Sequence, residues 1–328
     1  MPDHSVPVHV YGPDVVQLGP SEYVVLEDNV RVPSGVAYSE AIRRAGLGSM
    51  RYLYEPYRVS AISAYYAVLR RSLETAAPPG VASPCVALVS RGEGDSAYFE
   101  HGRIAEACNL RLLTLADCEI RGGEVRDRSD GRRIDVIYRR FDEDYIQTDL
   151  PGLQTVYLEG RVNIVNALCV GVADDKAVFP YVPTMIERYL GEKPLLENAP
   201  TLSPVEPEDK EEILDRLEEL VLKPREGYGG QGLVVGPEAD REVLEKARRQ
   251  VEENPTGFVA QEFLDFSTHV LKGEGSEFEE AFIDLRAFVL PAIGYVMPGG
   301  LTRVASPGTR VVNSSAGGSF KDTLVLED

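Results

Sequence analysis

The chain has 328 residues, of which 43% are hydrophobic, and a formal net charge of −19 at pH 7. A chain of this length and composition can bury a large core in two or three lobes, whereas its acidity disfavours nucleic acid as a partner. The sequence contains no run of about eighteen apolar residues and no basic amino-terminal region followed by an apolar one, so we expect neither a membrane span nor a signal peptide, and a cytoplasmic location.

The first predicted element is a hairpin of two strands within residues 8–26, where many apolar side chains are β-branched or aromatic. Its second strand runs into Glu27, Asn29 and Arg31, which the two-residue period of a strand places on one face, while Asp14 lies on the first strand. Carboxylate and amide oxygens in this arrangement suit Mg²⁺ that is already bound to phosphates. An exposed, polar strand end is the simpler interpretation of an isolated Glu-x-Asn pattern, and both interpretations stay open here.

The middle of the chain predicts a small parallel sheet. A helix in residues 56–77 is followed by buried strands in residues 85–89 and 134–138 and by a helix in residues 97–108. The polar loop before the latter helix lies at the carboxyl end of a strand, where open α/β sheets place ligands. His101 in that helix is a candidate base, although a histidine on a helix face is more often structural.

A hairpin with a glycine-rich tip is predicted in residues 221–236. Two short apolar runs flank a loop in which four of the six residues in 227–232 are glycine, and Lys223 lies where the first strand enters the loop. Glycine allows backbone N–H groups to converge and a ligand to approach closely, so this loop is suited to cover phosphates. A plain turn is the alternative interpretation.

The other elements predicted in the second half are helices in residues 163–168, 174–190, 208–220 and 239–253 and strands in residues 257–263, 282–290, 294–297 and 310–312. The strand in residues 257–263 contains the polar pair Gln261-Glu262, and Pro298-Gly299-Gly300 is predicted to turn a hairpin.

Six motifs resemble those of circularly permuted ATP-grasp proteins, a group that includes eukaryotic glutathione synthetase and glutathionylspermidine synthetase. They are Val-Leu-Glu-Asp-Asn-Val-Arg-Val-Pro-Ser-Gly (25–35), Asp-Ser-Ala-Tyr-Phe-Glu-His (95–101, with Asp95 where the family has Asn), Val-Ala-Asp-Asp-Lys-Ala (172–177), Asp-Leu-Arg (284–286), Gly-Gly-Leu-Thr-Arg-Val-Ala (299–305) and Asn-Ser-Ser-Ala-Gly-Gly (313–318). The type 2 proteins of bacteria resemble the chain most. The Glu-x-Asn motif precedes the lid, whereas it follows the lid in ordinary ATP-grasp enzymes.

This resemblance implies an α/β (α+β) fold, namely a permuted ATP-grasp fold with a glycine-rich lid and a small parallel-sheet α/β domain. It implies that residues 1–80 form the amino-terminal part of the central ATP-grasp domain and carry the metal-binding hairpin. Residues 81–160 would form the substrate-side α/β domain. Residues 161–328 would form the nucleotide-binding region, with the lid in residues 201–257.

The resemblance also implies roles for individual residues, with ATP and Mg²⁺ as cofactors. The nucleotide-binding residues would be Lys176, Lys223, Glu226, Gly227, Gly229, Gly230, Gly232, Gln261 and Glu262; the metal ligands Asp14, Glu27 and Asn29; and the catalytic residues Arg31, Arg286 and Arg303. The lysines and glycines would contact phosphates, Gln261 and Glu262 would lie at the adenine and ribose, and Glu226 is an additional candidate metal ligand. Arg31 would face the transferred phosphoryl group, and the other two arginines an acyl phosphate or a substrate carboxylate.

The implied reaction joins the carboxylate of a small molecule or peptide to an amine through an acyl phosphate. A phosphotransferase or a non-catalytic nucleotide-binding protein on the same scaffold are the alternatives, although a complete set of metal and lysine residues disfavours the last. Members of the family usually carry a long amino-terminal segment that precedes the matching region. We therefore expect part of the acceptor pocket to be missing from this chain. The sequence does not indicate an oligomeric state.

Overall fold

The computed structural model describes residues 6–226, 232–272, 278–306, 308–312 and 318–327. Within them, the strands are β1 (Asp14–Gly19), β2 (Glu22–Glu27), β3 (Val86–Ser90), β4 (Arg111–Thr114), β5 (Cys118–Arg121), β6 (Glu124–Asp127), β7 (Val136–Arg140), β8 (Asn163–Val165), β9 (Glu197–Asn198), β10 (Thr201–Leu202), β11 (Leu220–Pro224), β12 (Val234–Val235), β13 (Phe258–Glu262), β14 (Thr268–Lys272), β15 (Phe278–Leu290), β16 (Tyr295–Val304) and β17 (Ser319–Asp322). The α-helices are α1 (Val36–Ser49), α2 (Ala64–Thr75), α3 (Tyr98–Ala107), α4 (Tyr145–Asp149), α5 (Leu153–Leu158), α6 (Val182–Leu190), α7 (Pro207–Asp215) and α8 (Arg241–Glu253).

The central sheet unites the two ends of the chain. Its strand order is β17-β16-β15-β1-β2-β9, and β14 also pairs with β15. The predicted amino-terminal hairpin is confirmed as the antiparallel pair β1 and β2, and β1 then pairs with β15 near the carboxyl end. In this register Asp14 lies opposite Glu27 on one side and opposite Arg286 on the other. Two polar residues of one hairpin and a third from near the carboxyl end thus form one row across three strands.

A second sheet has the order β4-β3-β7-β8, and its three strand pairs are all parallel. This is the small parallel sheet that the sequence predicts. The predicted helix in residues 163–168 is wrong, because Ile164 and Val165 lie buried in β8. A short apolar run cannot be assigned to helix or strand from its periodicity alone. The largest core cluster joins Leu69 and Leu73 of α2 to Leu88 of β3 and to β15.

The lid lobe, as we call residues 201–262, contains a separate antiparallel sheet of order β10-β13-β11-β12 with α7 and α8 packed against it. Its core consists of apolar side chains from all of these layers, including Leu222, Val251 and Ala260. Helix α8 begins at an N-cap, Asp240, whose side chain accepts a hydrogen bond from the Val243 amide at 2.9 Å.

Two predictions for the carboxyl-terminal part are wrong. Pro298-Gly299-Gly300 does not turn a hairpin but lies inside β16, which continues through it. A Cβ at Gly300 would lie 2.7 Å from the Arg286 carbonyl oxygen, so glycine is needed there for close approach of β15 rather than for a turn. Residues 310–312 form no strand, and Arg310 instead lies over the rings of Phe263 and Phe282.

No helix formed by the described residues is both long enough and apolar enough to cross a lipid bilayer.

Candidate active site

A cavity of about 530 Å³ lies between the central sheet and the lid lobe, within the range of small-molecule sites. Ten of the predicted site residues line it: Asp14, Glu27, Asn29, Lys176, Lys223, Glu226, Gln261, Glu262, Arg286 and Arg303. Strands β1, β2, β15 and β16 supply the floor, and β11 and β13 of the lid lobe supply the opposite wall. The fold therefore brings residues from four distant stretches of sequence to one space.

Two arginines and two aspartates form an ion-pair network on the cavity floor. Arg286 donates through Nε and Nη2 to the two oxygens of Asp14, both at 2.7 Å. Arg303 donates in the same way to Asp284, at 2.7 and 2.5 Å, and its Nη2 also lies 2.8 Å from Asp14 Oδ2. Both aspartates are nearly fully buried. Such paired forks fix the orientation of each guanidinium group.

The protonation of this network follows from burial and charge. Burial alone would raise the pKa of Asp14, but the positive charges of Arg286 and Arg303 hold it below its usual range. Burial raises the pKa of Asp284 to about 6, with Arg303 opposing the rise. Sequence reasoning missed Asp284, although its two-residue spacing from Arg286 in Asp-Leu-Arg placed both on one face of a strand.

Two lysines approach the cavity from opposite sides. Lys223 of β11 donates to Gln261 Oε1 at 2.5 Å, and Lys176 Nζ lies 2.9 Å from Glu27 Oε1. Burial lowers the pKa of Lys223 to about 8, with Glu27 opposing the fall. An ammonium group that has lost much of its hydration gains strongly from an anion, so this pair fits the phosphates of a nucleotide.

All three predicted metal ligands and the additional candidate Glu226 line the cavity. Both oxygens of Asp14 accept hydrogen bonds from arginines, and Glu27 Oε1 lies 2.9 Å from Lys176 Nζ. The Asn29 Nδ2 atom is buried without a hydrogen-bond partner in the described part of the chain, so it is available to donate to an oxygen of a ligand, whereas Asn29 Oδ1 is the atom that would bind a cation. The role of Asp14 as a metal ligand stays a prediction, and its Oδ1, which accepts one hydrogen bond from Arg286, keeps a lone pair for a cation.

A ready-made metal centre is not present among the described residues, since they contain no group of three or more His, Cys, Asp or Glu side chains arranged to hold an ion. Glu27 and Asn29 supply carboxylate and amide oxygens, which suit Mg²⁺ but leave most of its coordination sites open. The donor set thus fits Mg²⁺ that arrives with phosphate oxygens.

Asp174 fixes the backbone that carries these donors. Its Oδ1 accepts hydrogen bonds from the amides of Val30 and Arg31, the latter at 3.1 Å. Asp28, between the two donors, accepts a 2.6 Å hydrogen bond from the Tyr11 hydroxyl. Asp174 was not among the predicted site residues, although it lies in the Val-Ala-Asp-Asp-Lys-Ala motif.

Arg31 is not among the residues that line the cavity. Its guanidinium group lies 3.3 Å from Asp142 and 3.5 Å from Asp174, and its side chain is 46% exposed. The Glu262 carboxylate is likewise paired, at 2.9 Å from Arg216 within the lid lobe. The roles predicted for Arg31 and for Glu262 at the ribose stay predictions.

The predicted glycine lid can be placed only in part. Gly232 adopts a φ of 72°, which favours glycine, whereas Gly227, Gly229 and Gly230 lie outside the described residues.

The loop between β3 and α3 contributes Ser96 and Ala97 to the cavity lining, and the segment between β2 and α1 contributes Ser34. Arg140 at the end of β7 pairs with Glu100 at 2.9 Å and donates to the Pro33 carbonyl at 2.6 Å, and both charged side chains are fully buried. His101 beside Glu100 is also buried, and burial together with Arg140 lowers its pKa to about 3. It does not line the cavity, which favours the structural role over the catalytic one.

Comparison with known sequences gives a family. The profile of the family described as circularly permuted ATP-grasp type 2 matches residues 1–305. Over 98% of its length, the chain is 40% identical to a Frankia casuarinae protein named "Putative glutamate--cysteine ligase 2-2". Over 99% of its length, it is 38% identical to an uncharacterised protein of Synechocystis sp. and 40% identical to one of Mycobacterium tuberculosis. It spans 39%, 70% and 62% of these three relatives, respectively.

Among solved structures, the fold is similar to that of a glutathione synthetase-like effector from Globodera pallida. The superposition has a TM-score of 0.60 and covers 97% of this chain and 76% of the effector, at 11% sequence identity. At this identity the similarity concerns the fold alone, and it agrees with the mixed α/β architecture predicted from the motifs.

Proposed function

Because this chain belongs to the circularly permuted ATP-grasp type 2 family, we propose that it is an ATP-dependent ligase that joins a carboxylate to an amine through an acyl phosphate. One observation carries the proposal: Lys176, Lys223, Glu27 and Asn29 converge on one cavity whose floor holds Arg286 and Arg303. This set combines positive charge for phosphates with oxygen donors for Mg²⁺. Phosphoryl transfer needs such groups, because they neutralise the negative charge on the phosphate oxygens.

In this proposal the nucleotide phosphates lie between the two lysines, and the base lies along β13 beside Gln261. Glu27, Asn29 and Glu226 would hold Mg²⁺, which neutralises charge on the phosphate oxygens. Asp14 would orient Arg286 and Arg303 through its contacts with both, in addition to its predicted role as a metal ligand. We assign the domains as predicted, except that the small α/β domain continues through β8 to residue 165 and the lid lobe continues through β13 to residue 262.

The chemistry proceeds in two steps. A carboxylate oxygen of the substrate attacks the γ-phosphorus of ATP, the bond to the bridging oxygen breaks, and ADP leaves. The amine nitrogen then attacks the acyl carbon, phosphate leaves, and the nitrogen loses a proton to give the amide. The fixed guanidinium groups of Arg286 and Arg303 would stabilise the negative charge on the carboxylate and the acyl phosphate.

Substitution of Glu27 by Gln is expected to weaken Mg²⁺-dependent nucleotide binding by about tenfold or more, because a neutral amide is a poorer ligand for a hard cation. The measurement is calorimetry of ADP binding with and without Mg²⁺. Glu22→Gln, an exposed change on the same strand, is the matched control. A titration of Glu27→Gln with an unchanged Mg²⁺ dependence would return Glu27 to the interpretation of a polar strand end.

The affinity for Mg-ADP is expected to fall as the pH rises above about 8. Burial lowers the pKa of Lys223 to about 8, so above that pH the free protein holds a neutral amine that must take up a proton to bind phosphate. The dissociation constant should then rise by up to about tenfold per pH unit. Calorimetry between pH 7 and 9.5 measures this slope. The same slope in Lys223→Met would assign the effect to another group.

A further inference from the structure

A charged contact joins the lid lobe to the rest of the protein. Arg225 directly follows β11 and stands between Lys223 and Glu226 in the sequence. Its Nε lies 2.7 Å from Asp175 Oδ1, and its Nη2 lies 2.5 Å from Asp175 Oδ2. Asp175 lies outside the lid lobe and immediately precedes Lys176. One bidentate pair therefore connects the two segments that carry the proposed phosphate-binding lysines.

Each partner is also anchored within its own segment. The Arg225 amide donates to the Gly257 carbonyl at 2.8 Å, which ties its backbone to the lid lobe. The Oδ1 atom of Asp175 accepts from the Ala177 amide at 3.0 Å, which closes a turn around Lys176. Asp175 also lines a small pocket together with Glu27, Lys176 and Lys223. A change in the distance between Arg225 and Asp175 would thus move the two lysines relative to each other.

We propose that Arg225 and Asp175 are positioning residues that hold Lys223 and Glu226 of the lid lobe opposite Lys176 and Glu27. This inference rests on the proposed function, since it concerns the nucleotide site. A bidentate pair between an arginine and a carboxylate fixes both the distance between the two side chains and their relative orientation. A site that is already assembled loses less conformational freedom on binding, so its affinity is higher. The charge of the pair is consistent with this, because the Arg225 guanidinium group lowers the pKa of Asp175.

The competing hypothesis is that Arg225 itself binds a phosphate of the nucleotide. In that case, its pair with Asp175 keeps it away from the phosphate site until the nucleotide binds. The two roles predict opposite results for Asp175→Asn. Loss of a positioning contact weakens nucleotide binding, whereas release of a phosphate ligand strengthens it or leaves it unchanged. Asn keeps an oxygen for the Ala177 amide, so the local turn is preserved.

The test is a double-mutant cycle on Mg-ADP binding, measured by calorimetry for the wild type, Asp175→Asn, Arg225→Gln and the double variant. The pair is partly exposed, so each single change is expected to raise the dissociation constant about fivefold. The double variant should bind no more weakly than either single one, because the contact is lost only once. Tighter or unchanged binding in Asp175→Asn, or additive losses in the double variant, would overturn the proposal.

A measurement without nucleotide separates this inference from the proposed function. Hydrogen exchange of the amides in β11 and in residues 173–177 is expected to become faster in both single variants. Arg241→Gln, which removes an exposed pair with Glu245 on α8 of the same lobe, should leave both segments unchanged. Unaltered exchange in Asp175→Asn would show that the pair does not hold the lobe in place. A wild-type protein that fails to bind Mg-ADP would contradict the proposed function instead.

Discussion

Substitution of Lys223 by Met is expected to lower ATP turnover by about a thousandfold, the loss typical of a side chain that stabilises transition-state charge in a desolvated site. The ammonium group of Lys223 lies in the wall of the cavity, where its hydrogen bond goes to the neutral amide of Gln261. Met preserves the length and the apolar stem of the side chain. The fold should therefore survive, since the variant also removes the cost of burying a charge.

The measurement is release of ADP or phosphate under saturating Mg-ATP, with circular dichroism and thermal unfolding as checks on the fold. Lys210→Met is the matched control, because Lys210 lies on α7 of the same lobe and its Nζ contacts the Glu252 carbonyl at 3.4 Å, away from the cavity. Wild-type turnover in Lys223→Met would end the assignment of this lysine to the phosphates.

The secondary-structure elements that were predicted well have strong patterns in their own local sequence. The apolar runs of β3 and β7 and the capped, amphipathic α8 lie within two residues of their predicted bounds. The two-residue period also predicted that Glu27 and Asn29 share a face, and both line the cavity. These features depend on neighbours only a few positions away, which is the range over which periodicity carries information.

Helix α1 shows where local signals fail, since the sequence analysis did not predict it. Gly35 precedes it with a φ of 131°, and the amides of Gly35 and Ala37 donate to Glu100 of α3, at 2.7 and 3.1 Å. The cap of this helix therefore comes from a residue more than sixty positions away. A search for an N-cap within the adjacent sequence has no means of finding it.

The ion pair of Asp14 is a second case. The predicted role of Asp14 as a metal ligand stays a prediction, but no sequence pattern indicated that an arginine would pair with this carboxylate. In the structure, β15 pairs with β1 and places Arg286, 272 positions away, directly against that carboxylate. Strand pairing between the two ends of the chain determines which residue contacts Asp14. The residue pattern of a single strand does not predict that pairing.

An acyl phosphate intermediate would distinguish a ligase from a phosphotransferase and from a non-catalytic nucleotide-binding protein. All three kinds of protein bind ATP, but only the ligase forms an acyl phosphate. Hydroxylamine is a small, strong nucleophile that can replace an unidentified amine. Incubation of the protein with Mg-ATP, hydroxylamine and a panel of amino acids and peptides is therefore expected to yield a hydroxamate and ADP in equal amounts. Colorimetric detection of the hydroxamate, with ADP measured in parallel, tests this.

Arg286→Ala and Arg303→Ala should each suppress the hydroxamate by about a hundredfold or more, because each guanidinium group faces the charge that develops on the carboxylate and phosphoryl oxygens. Arg286→Ala leaves Asp14 paired with Arg303 alone, and Arg303→Ala removes the arginine that pairs with buried Asp284, so folding must be checked. Arg286→Lys and Arg303→Lys keep the charge but lose the paired fork, and they should retain intermediate activity. Arg44→Ala, an exposed change on α1, controls for charge alone.

The other outcomes point to the other functions. A phosphorylated product that resists hydroxylamine would identify a phosphotransferase, because a phosphate ester has no activated acyl carbon for hydroxylamine to attack. Binding of Mg-ATP without turnover on any carboxylate would favour a non-catalytic nucleotide-binding protein. The chain spans 39% of its Frankia casuarinae relative, so that relative is assayed at full length beside it. Hydroxamate from the relative alone would show that the region this chain does not cover either carries that activity itself or is required for it. A hydroxamate that survives both alanine substitutions in folded protein would remove Arg286 and Arg303 from the reaction.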